Sequence, residues 1–206
     1  MKPADQKIYL ASKSPRRREL LRQIGVDFEL LLLREQGPRG ADVTEEVMAD
    51  EKPEDYVTRV TREKAEAAAK AVTLRRLPLR PVLTADTTVE VDGKILGKPA
   101  DDKEAMEMLR LLSGRTHRVL TSVAVHREDE HFQTLQISEV VFAPLTEAMM
   151  RAYCMTQEPY DKAGGYGIQG LASVFVERIT GSHSGIVGLP LHETAQLLHQ
   201  AGIRIL

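Results

Sequence analysis

Ile8-Tyr9-Leu10-Ala11-Ser12-Lys13-Ser14-Pro15-Arg16-Arg17-Arg18-Glu19-Leu20-Leu21-Arg22-Gln23-Ile24 reads as a strand that turns directly into a helix. Residues 8–11 are an apolar strand-like run, and residues 16–24 place Leu20, Leu21 and Ile24 on one helical face. Ser14 suits the N-cap and Pro15 the first helical position, where its missing N–H costs nothing. Such a turn makes an anion site, because backbone N–H groups and the positive end of the helix dipole point out of the N-terminus. Arg16 and Arg17 add forked donors matched to phosphate oxygens. Cations in a first turn oppose the dipole by ~0.3–1 kcal/mol each, so they ask for a compensating anion. A capped helix with solvated arginines has the same pattern.

The alternation continues outward from this unit and predicts an α/β protein. Residues 28–33 read as a second strand. Residues 34–53, with two Pro, two Gly, many charges and no clean period, read as a loop carrying function or as an insertion. Helix formers dominate from 54 to 72, and Pro78 and Pro81 punctuate the end. Residues 82–85 read as a buried strand stopping at Asp86, and Asp92-Gly93 as a hairpin turn between strands 88–91 and 94–96. A helix over 101–112 should stop at Ser113-Gly114. Strands over 119–126 and 132–142, a helix over 146–153, a glycine-rich loop and a closing helix over 189–200 with Pro190 in its first turn complete the chain. No internal repeat or interdomain linker interrupts residues 1–206, which predicts a single domain.

Composition excludes several roles. The 206 residues carry 28 Lys and Arg against 30 Asp and Glu, a net charge of −2, so any anion site must be local, and non-specific nucleic-acid binding is disfavoured. Five Tyr, four Phe and no Trp leave little for base-stacking platforms. Runs such as 30–33 and 140–143 are far shorter than the ~20 apolar residues a membrane span needs, which predicts a cytoplasmic chain with no membrane partner. The lone Cys154 rules out an internal disulfide or a thiolate zinc site and reads as a core thiol.

Asp86 is the most informative single residue, because ligands of α/β sheets gather at the carboxyl ends of strands; a turn-capping aspartate would look the same. Lys64, Lys98 and Lys162 each fall beside an element end, and singly each reads as a surface lysine. Gly164-Gly165-Tyr166-Gly167-Ile168-Gln169-Gly170 would let backbone approach a ligand, but it lacks the Lys-Ser/Thr of a P-loop. His117, His183 and His192 have no ligand spacing and read as structural.

Taken together with Ala85-Asp86-Thr87, Gly97-Lys98-Pro99, Leu112-Ser113-Gly114-Arg115-Thr116-His117, Asp161-Lys162-Ala163 and Val187-Gly188-Leu189-Pro190, these motifs run in the order found in Maf proteins, which the chain resembles from its first strand to its last helix. The resemblance implies an elongated α/β fold, a mixed sheet with flanking helices and two lobes around a cleft, similar to inosine triphosphate pyrophosphatases. It implies hydrolysis of nucleoside triphosphates to monophosphate and pyrophosphate with a divalent cation, Mg²⁺ or Mn²⁺, commonly by a homodimer. Asp86 is then the catalytic base, Lys64 and Lys98 belong to the catalytic triphosphate site, and Glu45 joins Asp86 at the metal, with Asp42 and Glu46 as alternatives in the same loop. Ser12, Ser14, Arg16, Arg17, Thr87, Lys162 and Gln169 would bind substrate. Arg16, Thr87 and Gln169 resemble the dTTP- and UTP-acting branch, whereas the branch acting on 7-methyl-GTP differs at these places. A carboxamide at position 169 can accept from the N–H of uracil or thymine and donate to a neighbouring carbonyl, whereas a glutamate could only accept. A non-catalytic nucleotide-sensing regulator of septum formation would share the cleft and cations, but would gain nothing from a carboxylate facing an anion unless metal neutralised it.

Overall fold

The computed structural model describes residues 6–34 and 41–205. The opening strand, β1 (Ile8–Leu10), passes through Ser12 and Ser14 into α1 (Pro15–Gln23), and the Ser14 hydroxyl accepts from the Arg17 N–H as the cap. The chain returns as β2 (Phe28–Leu30), parallel to β1. This strand is shorter than the strand expected over 28–33, although Leu31 still donates to the Leu10 carbonyl. The following loop holds no helix or strand in its described part, and residues 35–40 of it lie outside the described residues.

A long helix, α2 (Pro53–Leu74), starts with Pro53 at its first turn and with Glu54 and Asp55 on the favourable side of the dipole. It packs across the sheet through Tyr56, Val57 and Val60 at one end and Ala68 and Val72 at the other. The central strand β3 (Val82–Val91) then pairs parallel with β1 on one edge and antiparallel with β5 (Thr116–Arg127) on the other. A turn at Asp92-Gly93, both residues at positive φ, leads to β4 (Lys94–Leu96), which doubles back on β3. Helix α3 (Asp102–Leu112) is capped by Asp101, β5 turns into β6 (Glu130–Phe142), and α4 (Glu147–Cys154) is capped by Thr146. Short 3-10 turns carry the glycine-rich segment to β7 (Val176–Thr180), α5 (His183–Val187) and α6 (Leu191–Gln200). Pro190 is the N-cap of α6 and not a residue of its first turn.

The sheet is mixed, in the order β2-β1-β3-β5-β6-β7 with β4 on β3. Two cores share its long strands. One packs Leu20, Leu21, Leu197 and Leu198 against Leu83, Ala85, Val123 and Val125. The other packs Leu109, Leu112, Met150 and Tyr153 against Val89, Val91, Val119 and Phe142, with Cys154 buried in it. The α/β architecture expected from the sequence, a mixed sheet with flanking helices, is therefore present.

A second expectation requires correction. The strand does not stop at Asp86; β3 continues through it, because Asp86 is paired with Ser122 of β5 within an unbroken register from Val82 to Glu90. What stops there is the pairing on the opposite edge. β1 covers β3 only at Val82 and Leu83, and β4 resumes only at Val89, so the stretch between has one open edge. Period-two alternation sends Thr84, Asp86 and Glu90 toward α2 and Leu83, Ala85, Thr87 and Val89 toward the other face.

Candidate active site

A cavity of about 870 Å³ opens beside this unpaired stretch of β3. Its lining includes each residue that the resemblance assigns to catalysis, substrate or metal, apart from the alternatives Asp42 and Glu46: Ser12, Ser14, Arg16, Arg17, Glu45, Lys64, Asp86, Thr87, Lys98, Lys162 and Gln169. The β1–α1 turn supplies one wall, α2 supplies Lys64, the β4–α3 connection supplies Lys98, and the glycine-rich segment supplies Lys162 and Gln169. Seven Lys and Arg residues line it against four Asp and Glu, so the cleft is cationic although the chain is net acidic.

At its floor the Lys64 ammonium lies 2.7 Å from Asp86 Oδ1 and 2.7 Å from Glu45 Oε1. Burial opposes the charge on Lys64, but Asp86 and Glu45 outweigh it and hold its pKa above the ordinary lysine value. Burial likewise works against the Glu45 carboxylate, yet Lys64, with help from Lys98 and Arg17, holds its pKa below the usual range. Glu45 reaches this position because α2 clasps its loop. The Tyr56 hydroxyl donates to the Glu45 carbonyl at 3.1 Å, and Arg59 Nη2 donates to the Glu46 carbonyl at 2.9 Å. Arg59 also chelates the Glu51 carboxylate at 2.6 and 2.9 Å. Tyr56, Arg59 and Lys64 thus follow one another on a single helix, a spacing visible in the sequence but uninformative until the partner loop is known. The alternatives to Glu45 are elsewhere: Asp42 accepts from the Arg34 backbone and guanidinium, and neither it nor Glu46 lines the cavity.

The opposite wall belongs to arginine. Arg17 donates through Nε to the Gly188 carbonyl at 2.8 Å, through Nη1 to Ser12 at 3.3 Å and through Nη2 to Thr87 at 3.1 Å. Burial lowers its pKa while Asp86 pulls it back up. Arg16 pairs with Asp161 at 2.9 Å, and Asp161 also pairs with Lys162, so one acid joins cations from two segments. Burial opposes the Asp161 charge, but hydrogen bonds from Lys162 and Arg16 prevail and depress its pKa. Lys98 is exposed and makes no hydrogen bond or ion pair among the described residues, and the Gln169 carboxamide at the mouth is likewise unengaged.

The glycine-rich segment owes its glycines to the protein itself. Gly164 has φ 71°, and a Cβ there would stand 2.9 Å from Val89; a Cβ on Gly170 would strike the Glu158 carboxylate. Glu158, which nothing in the sequence marks, accepts from Tyr153 and from the backbone of Leu171 and Ala172 and so holds this wall in place. His117 is structural as expected, buried against the Tyr166 hydroxyl at 2.8 Å, where desolvation lowers its pKa to about 4.

No group of three or more His, Cys, Asp and Glu side chains forms a metal cluster among the described residues. Glu45 and Asp86 nevertheless suit a hard divalent cation, since Mg²⁺ is commonly held by one or two carboxylates with water and substrate phosphates completing its shell. Both already converge on a single positive charge. No helix of the described residues is long and apolar enough to cross a membrane.

Comparison with known proteins adds three findings. The family described as Maf-like protein matches residues 7–201. Proteins named dTTP/UTP pyrophosphatase from Aromatoleum aromaticum and Ralstonia nicotianae are each 55% identical, the first over 98% of both chains, the second over 96% of this chain and 95% of its own. The structure of the Staphylococcus aureus Ham1 protein aligns over 66% of this chain and 72% of its own, with a TM-score of 0.45 and 19% identity.

Proposed function

Because the chain belongs to the Maf-like family, we propose that it hydrolyses nucleoside triphosphates, dTTP and UTP foremost, to the monophosphate and pyrophosphate. The observation that carries this reading is the pair of carboxylates meeting one ammonium inside a cationic cleft. A triphosphate brings about four negative charges, and phosphoryl transfer is governed by positioning and by stabilising the charge that shifts to the leaving group. Arg16, Arg17, Lys98 and Lys162 hold the phosphates from the walls. Asp86, facing α2, orients the attacking water toward the α phosphate and accepts its proton. Lys64, kept protonated, stays beside Asp86 and offsets negative charge as the bond to pyrophosphate breaks. Glu45 and Asp86 would hold a divalent cation, Mg²⁺ or Mn²⁺, which when bound supplies Lewis acidity and a more acidic water. Gln169, at the mouth, reads the pyrimidine edge, and Ser12 and Thr87 hold Arg17 in place. The homodimer and the cytoplasmic setting implied by the family belong to the same proposal.

The test is product identity. Purified protein incubated with dTTP, UTP, CTP and 7-methyl-GTP, each with Mg²⁺ or Mn²⁺, should release pyrophosphate and monophosphate, fastest from dTTP and UTP. Release of nucleoside diphosphate and orthophosphate overturns the reaction; preference for 7-methyl-GTP overturns the base assignment.

A further inference from the structure

We infer that Thr121, a buried residue of β5, is a positioning residue for the triphosphate site and acts through Thr87 on Arg17; the inference rests on the triphosphate reading above. Thr121 is fully buried and lies directly opposite Thr87 in the antiparallel register. Its hydroxyl is 2.8 Å from the Gly185 carbonyl and 2.9 Å from the Thr87 hydroxyl.

The protons can be assigned by elimination. A hydroxyl has one hydrogen and a carbonyl can only accept, so the Thr121 proton goes to Gly185. Thr87 must then donate to Thr121, which turns a lone pair of Thr87 toward the Arg17 Nη2–H, 3.1 Å away. Arg17 completes a ring, since its Nε–H donates to Gly188, three residues beyond Gly185 on the far side of the short helix turn. Arg17 donates at both ends of this ring, by one path through Thr87 and Thr121 to the Gly185 carbonyl and by the other directly to the Gly188 carbonyl.

Two consequences follow for the site. The Thr87 hydroxyl has no proton left for a substrate, so its part is to hold Arg17. With Nε bound to Gly188, Nη1 to Ser12 and Nη2 to Thr87, one N–H on each terminal nitrogen of Arg17 is left for an anion in the cleft. Without the Thr121 hydroxyl, Thr87 could rotate and the fork would lose its fixed direction.

Inorganic tripolyphosphate, titrated calorimetrically into wild type, Thr121→Val, Thr121→Ser, Arg17→Met and the Thr121→Val/Arg17→Met double variant, tests this without turnover. The expected result is an affinity about 3–10-fold weaker in Thr121→Val, the scale of one hydrogen bond. Thr121→Ser should restore it, and Thr121→Val should add less than about 2-fold to Arg17→Met, because contacting residues in one network couple. Thr121→Ala removes the same hydroxyl and stands in if the valine variant fails to fold. Wild-type binding with an unchanged Thr121→Val, or full additivity with Arg17→Met, overturns the relay alone. No binding by wild type overturns the triphosphate site and the relay together.

Discussion

Replacing Asp86 by Asn should separate turnover from stability by a wide margin. The substitution keeps size and an acceptor oxygen but removes the charge that faces Lys64 at 2.7 Å. A charge-assisted hydrogen bond is about twice as strong as a neutral one, and a net bond to a charged group is worth ~1.5–3 kcal/mol, so the exchange loses roughly 1 kcal/mol. Glu45, also at 2.7 Å, still neutralises Lys64, which keeps the loss at that lower end. For a chain of this size, ~1 kcal/mol lowers the melting temperature by roughly 2–4 °C. Stabilities of ~5–15 kcal/mol leave such a variant almost wholly folded at assay temperature. Turnover, by contrast, should fall ~10²–10⁴-fold through loss of the general base, and further if the cation is also lost. Pyrophosphate release and thermal melts on the same preparation are the assay. A folded Asn variant with near-wild-type turnover refutes the role of Asp86. A melting temperature lower by more than about 10 °C would refute the argument that Glu45 suffices for Lys64.

Lys64→Met should destabilise more than Asp86→Asn, toward the ~3–5 kcal/mol of a broken buried pair but reduced because Glu45 is half-exposed; urea melts across pH measure it. In wild type the raised Lys64 pKa gives stability that is full below ~10.4 and lost only as pH rises through the folded value, while the depressed Glu45 pKa gives stability present above ~4.3 and lost as pH falls through its folded value. Without Lys64 the acid edge of that plateau should move toward neutral pH, and an unmoved edge contradicts the coupling. Gln169→Glu should leave tripolyphosphate binding unchanged but cut kcat/KM for UTP and dTTP, by at least ~10-fold for a repelled hydrogen-bond partner; an unchanged substrate profile would remove Gln169 from base reading. Arg59→Met should release the Glu45 loop from α2 and raise the Mn²⁺ concentration for half-maximal activity ~10–100-fold, as loss of an outer-shell partner does. An unaltered metal titration would mean that Tyr56 and Lys64 hold the loop without Arg59.

The strand-turn-helix at the start was legible because its signals are local: Ser14 caps and Pro15 begins a helix whatever surrounds them. Asp92-Gly93 was legible for the same reason. The continuation of β3 through Asp86 was not, because aspartate is a poor strand former and only the register with β5, a partner more than thirty residues on, holds it there. β7 and α5 were not legible, since they are short and set among Gly181, Ser182, Ser184 and Gly185, which read locally as loop. The members of the site came from motifs, yet what joins them did not. The clasp of Tyr56 and Arg59 on the Glu45 loop, and the Glu158 anchor, depend on contacts between segments with no shared pattern.

The alternation of β3 bears on which changes this chain can survive. Asp86 and Thr87 are chemical neighbours that serve opposite sides of the sheet, one toward Lys64 and the other toward Arg17. Substitutions elsewhere in the strand alter one side chain at a time. A single residue inserted or deleted just ahead of Asp86, with the upstream register on β1 kept, would turn the carboxylate toward the arginine and the hydroxyl toward the lysine in one step, and would also invert the apolar residues that follow, Val89 and Val91. Length variation among descendants of this sequence should accordingly be excluded from residues 82–91 and accumulate in the loop between β2 and α2, where an added residue need shift neither face of the sheet.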